Sequence, residues 1–257
     1  MNTNHPTTDH PDTPPERAGR QVVFATTQWT VVLTAGRSGT THATAALEKL
    51  CQTYWYPLYG YVRRCGHSPE DAQDLTQAFF ARLLDGQWIG RADREKGKFR
   101  SFLLSALKYF LADEWDRARA KKRGGGVIPL TLQFDTAESR YGHEPADHTT
   151  PEQLYERRWA LALLEEVLRR LAQEYTRDGK TNYFAELNPC LVGDRAALPY
   201  AELAVKLGLS ESAVKSIAHR MRLRYRELLR EEIANTVDNQ AEVDEELQHL
   251  FTILGRR

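Results

Sequence analysis

Cysteine and long apolar runs are both scarce in this chain of 257 residues. Three cysteines (Cys51, Cys65 and Cys190) lie far apart without a CxxC pair, which argues against a disulfide framework and for a reducing compartment, expected to be the cytoplasm. No run of 18 apolar residues exists, so no membrane span is expected. Residues 1–20 carry four prolines and no apolar h-region, so 1–24 is expected to be a disordered leader and not a secretory signal.

Motifs that mark common catalytic and cofactor sites are also missing. The eight histidines form no HExxH motif and no metal-ligand spacing, and the sequence contains neither GxxxxGK[ST] nor GxSxG. Residues 124–126 are three glycines, but they follow a basic helical pattern and not a strand, so they are interpreted as a helix stop. The chain is therefore not expected to be an enzyme, and no cofactor or metal is expected.

The net charge is zero, with 35 basic and 35 acidic residues, but the two signs are segregated. A first basic block, residues 96–123, holds nine Lys/Arg against three Asp/Glu, and a second, residues 206–230, holds seven against two. Residues 131–156 are acidic, and 231–250 hold seven acids and no Lys/Arg. Two basic blocks indicate two contact surfaces for a polyanion, although solvated helix faces would give the same pattern.

Apolar residues recur at spacings of three and four through most of the chain, which predicts an all-α fold. The length favours two small helical domains joined by a linker. The expected division has a first domain at 25–123, a linker at 124–150, a second domain at 151–234 and a C-terminal extension at 235–257. The linker is acidic, contains prolines and shows no helical period.

Local signals mark several helix starts. Ser68 with Pro69 starts one helix, and Thr150 starts another with Gln153 in the capping-box position. On the helix after Ser68, Asp74 and Gln77 are predicted to lie away from the buried stripe. Residues 181–197 are expected to form a short helical insertion.

The helix expected from Phe99 to Lys122 is aromatic on one side and basic at its end. Aromatic rings can stack on unpaired bases, while Lys and Arg follow the backbone. Phe102, Phe110 and Trp115 are predicted to lie in the core, which leaves Tyr109 as the aromatic residue for contact with a base.

Residues 199–230 carry a helix-turn-helix pattern, in which a two-turn helix is followed by a turn centred on Gly208 and a second helix capped by Ser210. With its apolar stripe buried, the second helix would present Ser212 and Lys215 to base edges. Suited to phosphate contacts are His219, Arg220, Arg222, Arg224 and Arg226. An ordinary helical hairpin with a basic outer face is the alternative.

Three segments together resemble a known family. Residues 71–84 (DAQDLTQAFFARLL) resemble the polymerase-binding helix of bacterial sigma factors. Residues 98–104 (KFRSFLL), leading to 111–117 (LADEWDR), resemble the helix pair that melts and reads the −10 element. Residues 198–204 (LPYAELA) through 210–215 (SESAVK) resemble the −35-reading helix-turn-helix. The whole is similar to the extracytoplasmic-function (ECF) group of the sigma-70 family over about residues 27–123 and 151–234.

The resemblance implies a transcription initiation factor that binds core RNA polymerase at the β′ clamp helices and the β flap and directs it to promoter DNA. Implied contacts with the polymerase are Asp71, Asp74, Gln77 and Arg82. Implied −10 contacts are Lys108, Tyr109 and Asp113 for a flipped base, and Arg117, Arg119, Lys121, Lys122 and Arg123 for the strand backbone. Implied recognition-helix positions for the −35 element are Lys215, Ser216, His219 and Arg220. The resemblance also implies an anti-sigma protein as a further partner.

The chain departs from the family pattern at several places. Ala78 follows Gln77 where many members have Gln-Glu, and Tyr109 replaces a frequent Asn, so base preference does not transfer. The extension at 235–257 exceeds the minimal plan, and packing on the domain is favoured over a regulatory or partner-binding helix. Two rival functions remain: a free-standing helix-turn-helix regulator that binds duplex operator DNA without core polymerase, and a helical enzyme or scaffold with basic patches.

Overall fold

The computed structural model describes residues 41–84, 98–120, 135–142, 149–191, 199–237 and 240–255. Within these ranges the chain forms helices and no strand, which confirms the all-α prediction. The helices are α1 (Thr41–Arg64), α2 (Pro69–Leu84), α3 (Phe99–Ala120), α4 (Asp135–Gly142), α5 (Pro151–Arg177), α6 (Thr181–Leu191), α7 (Tyr200–Leu207), α8 (Glu211–Ala234) and α9 (Gln240–Gly255). None of these helices is long and apolar enough to cross a membrane.

Helices α1 and α5 form the centre of the molecule and make the most extensive contact between helices in the described ranges. Helix α5 begins with the predicted capping box, in which the Thr150 hydroxyl accepts from the Gln153 N–H at 3.2 Å and the Gln153 amide oxygen accepts from the Thr150 N–H at 2.9 Å. Tyr155 and Trp159 of α5 are fully buried, as are Tyr54 and Leu58 of α1. Burial of such large side chains stabilises the contact by about 1.5–3 kcal/mol each.

One continuous core therefore includes buried residues from both predicted domains. Composition marks where a linker begins, but it does not tell whether the segments on either side pack together. Whether 25–123 and 151–234 are separate domains stays a prediction, and the leader at 1–24 lies outside the described residues.

Part of the predicted linker forms a helix, α4, although the sequence there shows no helical period. Helix α4 is bound to α1 through Glu138, which accepts hydrogen bonds from Arg63 Nε at 3.0 Å and Nη2 at 2.8 Å and from the Tyr59 hydroxyl. The hydrogen bonds from Arg63 are the main reason that the pKa of Glu138 lies below its usual range. Because these contacts join residues more than 70 positions apart, the local sequence pattern does not indicate them.

Helices α2 and α3 pack through aromatic residues. Phe79 of α2 meets Phe110 of α3 edge to face at 5.8 Å between ring centroids, and both side chains are buried. The predicted start of α2 is confirmed, since the Ser68 hydroxyl accepts from the Asp71 N–H at 3.1 Å.

The C-terminal extension forms α9, which packs on α8 and α5 and buries Val243, Glu246 and Leu250. This packing agrees with the alternative that the sequence favours for the extension. The predicted insertion forms α6, Thr181–Leu191, with residues 192–197 outside the described part.

Candidate nucleic-acid interface

Helix α8 begins at a turn that the sequence specifies residue by residue. Gly208 ends α7 in the left-handed conformation, at φ 65° and ψ 33°, where a residue with a Cβ would be strained. The Ser210 hydroxyl then accepts from the Ala213 N–H at 3.2 Å and caps α8. The turn and the cap fix the direction in which the first turns of α8 leave α7.

The N-terminal half of α8 presents a polar face to solvent. Its exposed residues line one shallow depression and include five of the predicted −35 contacts: Ser212, Lys215, Ser216, His219 and Arg220. Glu211 lies at the same place and pairs with Lys215 at 2.6 Å across one helical turn. Such a surface pair of charges contributes little to stability, so Lys215 can exchange Glu211 for another anion at small cost.

Arg222 does not belong to this face, which corrects its predicted outward orientation. It is half-buried, and its guanidinium donates to the Tyr200 hydroxyl at 2.6 Å and to the Cys190 carbonyl at 3.4 Å. The residue lies over the groove between α8 and helices α6 and α7, because these two acceptors are found there. Its role is to position α7 against α8.

Arg224 is likewise held within the protein, although the sequence suits it to a phosphate contact. It donates to Glu174 of α5 at 2.9 and 2.8 Å and pairs with Glu227 at 2.9 Å and Glu231 at 3.3 Å. The hydrogen bonds with Glu174 are the largest cause of the raised pKa of Arg224, and they lower the pKa of Glu174.

The predicted polymerase-binding residues of α2 separate into three environments. Asp71 and Asp74 are exposed, as predicted for Asp74. Gln77 is only 5% exposed, which corrects its predicted outward orientation. The buried face of α2 is wider than the predicted stripe, since it also includes Thr76.

Arg82 is joined to residues predicted to hold the −10 strand. Its guanidinium pairs with Asp113 at 3.0 Å and with Glu114 at 3.1 Å, and Arg117 pairs with the same two carboxylates at 3.1 Å each. The structure thus brings Arg82, Asp113 and Arg117 into one ion-pair network between α2 and α3. The sequence predicted them for two different partners.

Two large aromatic side chains of α3 are exposed, Tyr109 at 63% and Trp115 at 59%. The exposure of Trp115 corrects its predicted place in the core, where Phe110 does lie. Lys108, beside Tyr109, pairs with Glu152 of α5 at 2.7 Å, and this contact is the main cause of the lowered pKa of Glu152. The side chain of Arg119 lies outside the described residues, as do Lys121, Lys122 and Arg123.

Sequence reasoning missed Trp115 as a surface residue and Glu152 as the partner of Lys108. Helical period alone places Trp115 four residues after Leu111, which is the spacing of a buried stripe. Glu152 carries no local signal for Lys108, since 44 residues separate the two. Among the residues that the structure describes, no group of three His, Cys, Asp or Glu could hold a metal ion.

Comparison with known proteins gives one match. Residues 50–121 match the family model described as sigma-70 region 2, and this segment contains most of α1 and all of α2 and α3. No curated protein and no solved structure matches the chain. The match supports the assignment of the chain to the sigma-70 family and a sigma-factor role in transcription initiation. The partners that this family implies are core RNA polymerase and promoter DNA.

Proposed function

We propose that the chain is an initiation factor of the ECF type, which binds core RNA polymerase, directs it to −10/−35 promoters and aids their melting. In this proposal α2 contacts the β′ clamp helices, α3 holds the non-template strand of the −10 element, and α8 reads the −35 element. The chain performs no bond chemistry, and it acts in the cytoplasm.

The observation that carries this proposal is the exposure of Tyr109 and Trp115 on the last helix of the segment matched by sigma-70 region 2. Extruding a base from duplex DNA costs a few kcal/mol. Stacking of one unpaired base on an aromatic ring offsets about 1–3 kcal/mol of that cost. A helix that exposes two aromatic rings together with Lys108 and Arg117 therefore suits the capture of melted DNA.

Asp74 supports the polymerase contact, because it is exposed on α2 and its carboxylate is within reach of a partner. We expect Asp74→Arg to abolish binding to core polymerase while the fold stays intact, as measured by pull-down with purified core enzyme. The matched control is Asp116→Arg, which makes the same charge reversal at an exposed position of α3. Equal loss in both variants would mean that net charge and not this site governs the interaction.

The remaining support comes from the second half of the chain. The N-terminal half of α8 follows a tight turn and exposes six polar side chains on one face, five of which are predicted −35 contacts, and this suits entry into the major groove. Run-off transcription with purified core polymerase, followed by mapping of the start sites, tests the whole proposal. Absence of initiation on a library of promoter fragments, with core polymerase shown active by another factor, would reject it.

A free-standing regulator of duplex operator DNA is the second candidate. The observation that favours it is that the α7–α8 face lies outside the segment matched by sigma-70 region 2. Such a regulator would bind duplex DNA in the absence of core polymerase and would not need the exposed carboxylates of α2. Sequence-specific binding of duplex DNA together with no detectable binding of core polymerase would favour this candidate.

A further inference from the structure

The acidic helix α9 is bound to basic residues from both basic blocks. Glu246 pairs with Lys98 at 2.5 Å and with Arg100 at 2.9 Å, and both cations belong to the first block. Asp244 pairs with Arg230, the last residue of the second block, at 2.5 Å. A single helix therefore neutralises cations on α8 and at the start of α3.

The contact of Arg100 with Glu246 is buried, with relative exposures of 6% and 0%. A second hydrogen bond joins them at 3.2 Å, Arg100 also pairs with Glu156 of α5, and its guanidinium lies 4.9 Å from the Trp159 ring centroid. Burial favours the neutral form of Glu246, but the hydrogen bonds from Arg100 and Lys98 outweigh it and lower its pKa.

Further bonds fasten the same region. The Phe99 N–H at the start of α3 donates to the Thr236 carbonyl at 3.3 Å, in the connection between α8 and α9. The His249 ring of α9 hydrogen-bonds with Glu156 at 2.8 Å. Helix α9 thus ties the N-terminus of α3 to α5 and α8.

The ion pairs between α9 and the basic residues can do more than stabilise the fold. An apolar pair of similar volume usually stabilises a core as well as a buried ion pair does. The charges therefore add little to the stability of this contact. A charge pair does differ in one respect, because another anion can compete for the cation. Lys98 and Arg230 are reachable by such a competitor, since their side chains are 26% and 47% exposed.

We propose that α9 is an internal acidic ligand, which we name the C-terminal clasp, and that it competes with DNA phosphates for Lys98 and Arg230. Bound DNA releases the clasp, and the closed clasp lowers affinity for DNA. By linkage the two effects are equal in free energy. The proposal rests on the proposed function in one respect, namely that the chain binds DNA.

Glu245 of the clasp also lies near Lys98, with 4.0 Å between its Oε2 and the lysine Nζ. The first test neutralises the exposed carboxylates of the clasp in the full chain, with Asp244→Asn and Glu245→Gln together; their side chains are 61% and 69% exposed. We expect affinity for a random-sequence duplex to rise about tenfold at about 50 mM salt and less at about 200 mM, because salt screens the competition. Fluorescence anisotropy measures both affinities. The matched control is Glu165→Gln with Asp178→Asn, which removes two negative charges at exposed positions, one on α5 and one directly after its last residue.

The second test measures whether α9 leaves the protein surface when DNA binds, by amide hydrogen exchange. We expect duplex DNA to accelerate amide exchange in α9 of the wild type. Arg100→Met with Glu246→Leu replaces the buried charges by an apolar pair that keeps α9 in place, and in this variant DNA should accelerate exchange much less.

The outcomes separate the two proposals. The clasp is overturned, while the proposed function stands, if the wild type binds DNA but α9 exchange is unchanged, or if the control raises affinity as much as the clasp variant. If neither the wild type nor any variant binds DNA, the clasp as a competitor of DNA fails, while the proposed function is decided separately by run-off transcription with core polymerase.

Discussion

The beginning and the end of α8 both carry basic residues, but these residues have different surroundings. In the N-terminal half, Lys215, His219 and Arg220 are exposed on one face. Further along the helix, Arg222 and Arg224 bind protein acceptors on α6, α7 and α5. One helix thus provides a face for a partner at one end and an anchor to the protein at the other.

The difference between the halves shows that a basic block does not by itself define a DNA-binding surface. What distinguishes them is the presence of carboxylates within reach. Glu174, Glu227 and Glu231 surround Arg224, whereas among the described residues the ion pair of Lys215 is with Glu211 of its own helix. Counting charges along a sequence ignores the acidic residues that the fold brings near.

The largest effect is expected on stability, from a substitution at Arg224, which anchors α8 to α5. Arg224→Ala removes two charged hydrogen bonds to Glu174, so we expect it to lower the free energy of unfolding by about 1.5–3 kcal/mol. Urea denaturation followed by circular dichroism measures this. Arg226→Ala, at an exposed position two residues further on, is the control and should change stability by less than about 0.5 kcal/mol. A folded Arg224→Ala variant with weakened DNA binding would contradict the assignment of Arg224 as an anchor.

The opposite pattern is expected in the N-terminal half. Lys215→Ala should weaken binding to duplex DNA with a −35 element by about 1–3 kcal/mol if the lysine contacts a base edge. Stability should change by less than about 0.5 kcal/mol, because the side chain is exposed. Competition binding with cognate and random duplexes separates the possibilities, and an equal loss on both would make Lys215 a phosphate contact.

A smaller effect is expected from Arg220→Ala. If Arg220 contacts a phosphate, affinity should fall about equally on every sequence, and the slope of log K against log salt should decrease by about 1. A salt titration of the wild type and the variant measures both slopes. An unchanged slope would place Arg220 away from the DNA backbone.

The smallest effect concerns pH and sharpens the assignment of the anchor. Arg224 lowers the pKa of Glu174 in the folded state below the ordinary value of 4.5. A lowered carboxyl pKa contributes stability that is complete above the unfolded pKa and is lost as pH falls through the folded one. The stability difference between wild type and Arg224→Ala should therefore be constant near neutral pH and shrink below about pH 4.5. A difference that grows in acid would contradict the pairing.

Features encoded by neighbouring residues could be predicted from the sequence. The Ser210 cap, the turn at Gly208 and the Thr150 capping box each depend on residues at most five positions apart, and all three are present as predicted. The all-α fold follows from the same local periodicity.

Side-chain orientation at the candidate sites depends on distant residues, so it was harder to predict. Arg222 turns inward because the Tyr200 hydroxyl and the Cys190 carbonyl accept from it, 22 and 32 positions away. Gln77 and Trp115 lie opposite to their predicted positions, because the width of a buried face depends on which helices cover it. The packing of α1 on α5 left no local pattern that could indicate it.

The length of α5 has a consequence for how the chain can change in evolution. This helix of 27 residues contacts α1, most of which lies within the segment matched by sigma-70 region 2, and also contacts α8. One inserted residue would turn everything beyond it by about 100° and shift it by about 1.5 Å, whereas seven residues restore nearly the same direction about 10 Å further on. Viable changes in the distance between the candidate surfaces should therefore be insertions or deletions in α5 that amount to nearly whole helical turns.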